Sequence, residues 1–253
     1  MSTVGSDRSS LKQLRELDAQ FDAQLAEYSS PKKNPKPAKK GKKPFLLYRW
    51  IAKLLVAIGL LLLPFFLLIR VSLFTYSSYG LNGWLALGSG VLATITLLVF
   101  YGSYLSFRFS GKARMRKFLF QSTAVMVLSY CCYALLYLSS MNVKNEQERA
   151  HYRSLHPILR VTVATATLAD SDLVITDMHR TPEEYLKMGL TPRQQSLHYH
   201  QPTGYVHAVD LRTRGRAEWK NWLTAHLLNM LGYQTLRHVG TADHLHVPLP
   251  LND

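Results

Sequence analysis

The chain has 253 residues, which allows one or two domains, and a formal net charge of +14 that is spread unevenly. Residues 1–50 hold 11 Lys and Arg against 5 Asp and Glu, residues 51–142 hold 7 against none, and residues 143–253 hold 12 against 11. The only two cysteines, Cys131 and Cys132, are adjacent, a strained geometry for a disulfide, so we expect two small apolar side chains instead.

Residues 9–28 are predicted to form an amphipathic helix within a separate segment, residues 1–30. Their apolar residues recur at three- and four-residue spacing, which places them on one stripe of a helix. The stripe consists of Leu11, Leu14, Leu17, Phe21, Leu25 and Tyr28. Such a helix lies on its neighbours, forms a short coiled coil or docks a protein partner.

A lysine- and proline-rich stretch, residues 31–44, follows this helix. It reads PKKNPKPAKKGKKP, a composition that cannot bury a core, so we predict a solvated linker. Lysines just before a membrane span can hold anionic lipid headgroups. Nucleic-acid binding is the competing interpretation. No aromatic residues lie among the lysines, and we expect no nucleic-acid partner.

Three apolar segments within residues 45–142 are predicted to cross a membrane. They cover residues 45–69, 84–107 and 118–139. Each has roughly 20 or more residues, the length that an α-helix needs to cross a hydrocarbon layer about 30 Å thick. The first segment lies too far from the N-terminus to be a cleavable signal peptide.

The basic residues around these segments predict their orientation. The tail before the first segment is rich in lysine, and the loop 108–117 carries five Lys and Arg, whereas the loop 70–83 carries only Arg70. Since basic loops stay in the cytoplasm, the N-terminus is expected there and residues 143–253 on the far side of the membrane. In a Gram-negative bacterium this describes an inner (cytoplasmic) membrane protein with a periplasmic C-terminal domain.

Residues 143–253 are predicted to form an α+β domain with a small antiparallel sheet. Segments rich in β-branched residues or with strand-like alternation predict strands at 160–168, 171–179, 204–211 and 244–250.

Two helices are also predicted in this domain. Residues 181–189 begin with Thr-Pro-Glu-Glu and end in glycine. Residues 216–233 are amphipathic, with an apolar face of Trp219, Trp222, Leu223, His226, Leu227 and Met230. We expect His226 to be a core histidine on this face and His156 to lie on the surface.

Two histidine-bearing segments, SLHYHQPTGYVHAVD and DHLH, carry the chemistry of the chain. A catalytic zinc site takes three protein ligands, such as His nitrogens and carboxylate oxygens, and keeps a fourth position for water. Asp210 and His246 on neighbouring strands are expected to converge, with His198 or His200 as the third ligand. His207 alternates with Asp210 along its strand and is expected to point to the other face.

In these segments the chain resembles the LAS-type zinc metallopeptidases, the superfamily of D-Ala-D-Ala carboxypeptidases, dipeptidases and murein endopeptidases. That superfamily carries S-x-H-x-x-G-x-A-x-D, a downstream H-x-H, and an arginine that opens a helix upstream. The resemblance covers about residues 156–248 and implies a Hedgehog/DD-peptidase-like fold. The matching residues are Arg180, Ser196, His198, Ala208, Asp210, His244 and His246.

The spacing departs from the family pattern in one place. Six residues separate the family's first His from its Asp, whereas here Thr203 stands at that position. His198 and His200 precede Asp210 by twelve and ten positions. Either a longer loop preserves the site or the first ligand has moved, and we favour His198 over His200.

The resemblance implies Zn²⁺ as the cofactor and a role for each matching residue. Arg180 would bind a substrate carboxylate or the tetrahedral oxyanion, and Ser196 would complete the substrate-binding set. The general base would be Asp243, which replaces the glutamate of many relatives, or His244. The implied metal ligands are His198 or His200, Asp210 and His246.

These residues predict an inner-membrane-anchored zinc metallopeptidase, of the DD-carboxypeptidase or murein endopeptidase class, that acts on peptidoglycan stem peptides in the periplasm. The alternative is a non-catalytic peptidoglycan-binding or anchoring subunit of a membrane complex, with a degenerate peptidase-like domain. The expected partners are peptidoglycan peptides, membrane lipids and a protein that docks on residues 9–28.

Overall fold

The structure is a computed structural model that describes residues 6–29, 45–109, 113–187, 189, 191, 195–240 and 243–251. The predicted lysine linker, residues 31–44, lies outside the described residues. Contacts divide the chain after Lys53 into two units.

The N-terminal helix α1 covers Ser6–Ser29, in agreement with the predicted helix. Its apolar stripe is exposed to solvent along the whole helix, from Leu11 to Tyr28. The exposure leaves the stripe accessible to a partner, and the docking role remains a prediction.

Among the residues that the structure describes, three helices are long and apolar enough to cross a membrane, as predicted. They are α2 (Phe45–Tyr79), α3 (Gly83–Phe109) and α4 (Ala113–Leu136). Most of the large apolar side chains on their outer surfaces are exposed, as expected for groups that face lipid.

The predicted loop 70–83 is largely helical, so its assignment as a loop was wrong. No proline or glycine interrupts the chain between Arg70 and Tyr79, and α2 continues to Tyr79 before the chain turns at Gly80, where φ is +62°. The added turns are stabilised by burial, because Leu73 and Tyr76 are enclosed by other parts of the protein.

Helices α2 and α3 approach each other closely at Gly90. A Cβ atom at Gly90 would lie 2.3 Å from the main-chain oxygen of Leu68. The same oxygen accepts a hydrogen bond from Ser72 Oγ at 2.7 Å. Only a residue without a side chain fits this contact, as is common between membrane helices.

The C-terminal region begins after α4 with short helical turns and then alternates helices and strands. Two 3-10 helices cover Ser140–Asn142 and His151–Ser154. The helices are α5 (Glu146–Ala150), α6 (Pro157–Ala169), α7 (Pro182–Lys187) and α8 (Glu218–Leu231). The strands are β1 (Ile175–Asp177), β2 (Ala208–Arg212), β3 (Leu236–His238) and β4 (His244–Pro248).

The four strands form one antiparallel sheet in the order β1-β2-β4-β3. This confirms the small antiparallel sheet, although β3 was not predicted. In the register, Asp210 of β2 lies opposite His246 of β4 on one side and opposite Asp177 of β1 on the other. The centre of the sheet therefore gathers ionisable side chains from three strands.

The predicted strand at 160–168 is wrong, because these residues form most of α6. Pro157 stands in the first turn and His156 accepts a hydrogen bond from the N–H of Ile158 at 3.4 Å, and both features start a helix. The threonines that suggested a strand bond back to carbonyls one turn earlier, as Thr162 does to Ile158 at 2.9 Å. The helix buries the apolar side chains of α6 and satisfies the threonine hydroxyls within the helix. This favours the helical conformation more than the β-propensity of the segment favours a strand.

The buried residues of α2–α4 and of the C-terminal region form a single continuous core. Polar bonds cross the same boundary: Tyr130 of α4 bonds Thr165 of α6 at 2.6 Å, and Arg160 Nη1 donates to the carbonyl of Leu135 at 3.0 Å. The described part of the C-terminal region thus packs directly on the apolar helices.

The expected positions of two histidines are reversed. His156, expected on the surface, is 1% exposed and packs against the ring of Tyr76. His226, expected in the core, is exposed and stacks on Trp222. The start of α6 faces α2 and α3, whereas the apolar face of α8 faces outward, and neither relationship follows from local sequence.

Candidate metal centre

Three side chains from a loop and two strands meet on one face of the sheet. His198 comes from the loop before β2, Asp210 from β2 and His246 from β4. One possible ligand atom from each lies within 4.8 Å of the other two. Asp210 and His246 meet because residues opposite each other in an antiparallel pair present their side chains on the same face.

The separations of these atoms fit a tetrahedral metal ion. A zinc ion with bonds of about 2.0–2.1 Å places its ligand atoms about 3.4 Å apart. Nε2 of His198 lies 3.4 Å from Nδ1 of His246 and 3.4 Å from Oδ1 of Asp210. The third edge, between His246 Nδ1 and Asp210 Oδ1, is 2.8 Å, a hydrogen-bond distance that a bound ion would widen.

His198 is fixed so that one ring nitrogen faces the other two groups. Its Nδ1 lies 3.0 Å from the carbonyl oxygen of Met178, which orients Nε2 towards Asp210. Its main chain accepts a hydrogen bond from the N–H of Arg180 at 3.1 Å and donates to Ser196 Oγ at 3.3 Å. The long loop therefore preserves the predicted position of His198.

His200, the alternative ligand, lies outside this group. It is exposed, its Nδ1 is 3.3 Å from the carbonyl oxygen of Gly204, and its ring is 4.9 Å from the ring of His179. His207 points to the other face of the sheet, as predicted, where it is buried beside His156 and bonds Thr203 Oγ1 at 2.7 Å.

The charges of the centre are strongly coupled. Burial raises the pKa of Asp210, but the hydrogen bonds from His198 and His246 outweigh it and hold the pKa well below its usual range. Burial lowers the pKa of His198, but the bond and the charge of Asp210 raise it overall. The lowered pKa keeps the Asp210 carboxylate ionised, which is the form that binds a metal ion.

Arg180 lies beside the centre between two carboxylates. Its Nη2 is 3.3 Å from Asp210 Oδ2, its Nε donates to Asp177 Oδ2, and its guanidinium lies 5.3 Å from the centre of the Tyr185 ring. Burial lowers the pKa of Arg180, but Asp177 and Asp210 raise it overall. Ser196 is buried, and its Oγ lies 2.9 Å from the hydroxyl oxygen of Tyr185, the residue whose ring contacts Arg180.

Sequence reasoning missed two acidic residues near the centre. Asp177 stands opposite Asp210 in the register, and burial raises its pKa although Arg180 lowers it. Glu148 accepts a hydrogen bond from the N–H of Met178 at 3.1 Å. Burial, and to a smaller extent the negative charge of Asp177, raises the pKa of Glu148 to about 7. The position of Asp177 at a strand end before Arg180 was a usable signal, but the sequence around Glu148 resembles any surface helix.

The two predicted bases lie in different surroundings. His244 Nε2 is 3.6 Å from Asp210 Oδ2, and the His244 ring stacks on His238 at 4.9 Å. Asp243 instead accepts hydrogen bonds from Thr213 Oγ1 at 2.5 Å and Arg237 Nη2 at 3.0 Å. The sheet therefore brings His244 to the centre and holds Asp243 in an ion pair.

No protein-family model, curated protein or solved structure matches the chain. The resemblance to zinc metallopeptidases thus remains an interpretation of individual residues. The geometry by itself shows a group of three side chains that could hold a metal ion, with an arginine and a further histidine beside it.

Proposed function

We propose that the chain is a membrane-anchored, zinc-dependent peptidase with a DD-peptidase-like domain that acts on peptidoglycan stem peptides. The observation that carries the proposal is the convergence of His198, Asp210 and His246 at near-tetrahedral spacing. Two histidines and one carboxylate are a common ligand set of catalytic zinc, which keeps a fourth position for water.

The metal and its protein ligands would divide the chemistry. Zn²⁺ held by these three residues would lower the pKa of a water and polarise a peptide carbonyl. Asp210 supplies the negative charge, and Met178 keeps the ring of His198 in its binding orientation. His244, beside Asp210 on the same face of the sheet, is placed to accept a proton from the attacking water.

Arg180 is suited to an anionic part of the substrate. Asp177 holds its Nε, which keeps the guanidinium at the edge of the centre, and the side chain remains partly exposed. A guanidinium in this place can bind a peptide carboxylate or the oxyanion formed during cleavage. Stem peptides of the cell wall end in such a carboxylate.

The proposed topology supports this substrate. The basic residues of the N-terminal tail and of loop 108–117 favour a cytoplasmic N-terminus, and three spans then place the centre outside the cytoplasmic membrane. Peptidoglycan lies on that side. In a Gram-negative bacterium the compartment is the periplasm.

The test uses the full chain in lipid nanodiscs, because the C-terminal region shares its core with the apolar helices. Bound zinc is measured by elemental analysis and muropeptide cleavage by chromatography, for the protein itself, His246→Ala and the control His200→Ala. We expect zinc and cleavage in the protein and the control, and neither in His246→Ala. Zinc without cleavage would favour the wall-binding subunit, and no zinc in any form would refute the metal centre.

A further inference from the structure

Helix α8 carries an apolar face that the rest of the described chain leaves uncovered. The residues of this face lie on one stripe of the helix and are 38% to 66% exposed. We call them the α8 face: Trp219, Trp222, Leu223, Leu227 and Met230. The opposite side of the helix, with Asn221 and Leu228, is buried, and Asn221 Nδ2 donates to the carbonyl oxygen of Thr213 at 3.0 Å. Uncovered apolar faces of this kind mark a surface that meets another apolar body.

The C-terminal end of α8 touches α2 where α2 leaves its uncharged stretch. Residues 54–69 contain no charged residue and span about 24 Å at the rise of an α-helix. Arg70 follows, and its Nη1 donates to the carbonyl oxygen of Leu231 at 3.4 Å. A Cβ at Gly232 would lie 3.1 Å from Leu73 Cδ2. An arginine that follows an apolar stretch favours the boundary between hydrocarbon and water, so Arg70 supports a position of this end of α8 close to a bilayer surface.

The N-terminal end of α8 is tied to a second element that rests on the spans. Lys220 Nζ lies 3.4 Å from Asp170 Oδ1 and 2.5 Å from Asp172 Oδ2. Asp170 caps α6, which packs on α3 and α4 and bonds Tyr130 through Thr165. Both ends of the helix are therefore held by elements that contact the membrane helices.

We propose that the α8 face lies in the headgroup and upper acyl region of the bilayer at the end where α2 leaves it. Two tryptophans among aliphatic side chains are the composition that favours this interfacial zone. A surface helix held at both ends against membrane helices meets lipid at little cost in ordering entropy. The lipid covers the face that the protein leaves bare.

This placement determines which way the metal centre points. Leu245 lines the same groove as Trp219 and Trp222, so it lies on the α8 side of the sheet. Its neighbours His244 and His246 point to the opposite face, because side chains alternate along a strand. With α8 on the lipid, the centre faces away from the bilayer.

The test places an environment-sensitive fluorophore, NBD, on the α8 face of the full chain in nanodiscs. Leu227→Cys carries the probe in a Cys131→Ala, Cys132→Ala background. The matched control is Leu186→Cys on α7, because Leu186 is another exposed leucine, at 64%. Nanodiscs are compared with and without a lipid that carries a nitroxide at its headgroup.

We expect the probe at position 227 to emit at shorter wavelength and to be quenched by the nitroxide lipid, because a group on an interfacial helix lies at the depth of the lipid headgroups. The probe at position 186 should show neither effect. Shorter-wavelength emission without quenching would mean that protein, either a second copy or a partner, covers the α8 face, and this would overturn the proposal. Emission typical of a probe in water would overturn it as well, because the face would then be exposed to solvent. Met230→Cys repeats the measurement if Leu227→Cys does not fold.

Discussion

Asp210 and His246 lie directly opposite each other on β2 and β4, with Asp210 Oδ1 and His246 Nδ1 2.8 Å apart. Strand pairing fixes this contact, and only His198 reaches the centre from a loop. Two of the three proposed ligands are thus positioned by the backbone pairing of two strands.

Asp210→Asn is expected to abolish zinc binding. The substitution keeps the shape of the side chain but removes the only negative charge among the three proposed ligands, and the amide nitrogen can turn towards the metal. Zinc per chain, measured after gel filtration, should fall from about one to near zero. The matched control is Asp172→Asn, which alters an exposed carboxylate bound to Lys220. Full zinc content in Asp210→Asn would show that this carboxylate is not a ligand.

Arg180→Lys should retain zinc and lose activity. Lysine keeps the charge, but its single compact ammonium lacks the planar fork in which Nε of Arg180 holds Asp177 while another nitrogen can face an anionic substrate group. We expect kcat/KM for muropeptide cleavage to fall about 10- to 100-fold. Arg153→Lys, on an exposed arginine, serves as the control. Unchanged kinetics in Arg180→Lys would remove Arg180 from the substrate site.

His244 and Asp243 can be separated as bases by parallel substitutions. Because His244 faces Asp210 and Asp243 is paired with Arg237, His244→Asn should lower kcat about 100-fold or more and Asp243→Asn much less. Zinc content is measured for both, so that loss of metal is not mistaken for loss of the base. The reverse order of effects would identify Asp243 as the base.

Gly90→Ala should destabilise the contact between α2 and α3. The added methyl would meet the Leu68 carbonyl at 2.3 Å, and overpacking of this kind costs about 1–3 kcal/mol. Gly88→Ala, on the same helix, meets nothing within 4 Å and is the matched control. Thermal unfolding in detergent should show a lower midpoint for Gly90→Ala alone. Equal unfolding midpoints for Gly90→Ala and Gly88→Ala would mean that α2 and α3 can move apart to accommodate the added methyl group without loss of stability.

Acid should destabilise the protein through His156. Burial, with the charges of His207 and Arg160, lowers the pKa of His156 to about 3. Between its unfolded pKa of about 6.5 and this value, the unfolded chain binds a proton that the folded chain does not, so stability falls as the pH falls. The unfolding midpoint should therefore drop between pH 7.5 and pH 5, and His156→Asn should reduce that drop. A drop of equal size in the variant would assign the acid sensitivity to other groups.

The sequence was sufficient to predict features that depend on local pattern. Runs of apolar residues predicted the three long apolar helices of the described chain, and the strand assignments together with the family resemblance pointed to Asp210, His246 and either His198 or His200, of which the structure brings His198 to the other two. These predictions succeed because the length of a span and the alternation of a strand follow from the chain alone.

Features that depend on packing could not be predicted. α6 is rich in β-branched residues and is a helix because it is buried against α3 and α4. The extension of α2 beyond Arg70, and the burial of Glu148 near Asp177, also need the rest of the fold. Each of these is decided by a neighbour that is distant in the sequence.

Because α2–α4 and the sheet share one hydrophobic core, the fold of the C-terminal region depends on the three apolar helices. The buried residues of the strands that bear Asp210 and His246 belong to the same cluster as those of the three apolar helices, so those helices supply part of the surface against which the sheet packs. A fragment cleaved from the chain between residues 137 and 143 would contain the three proposed ligands. It would lack the apolar helices that complete the hydrophobic core beside them. Such a fragment is therefore expected to lose the arrangement of the three proposed ligands.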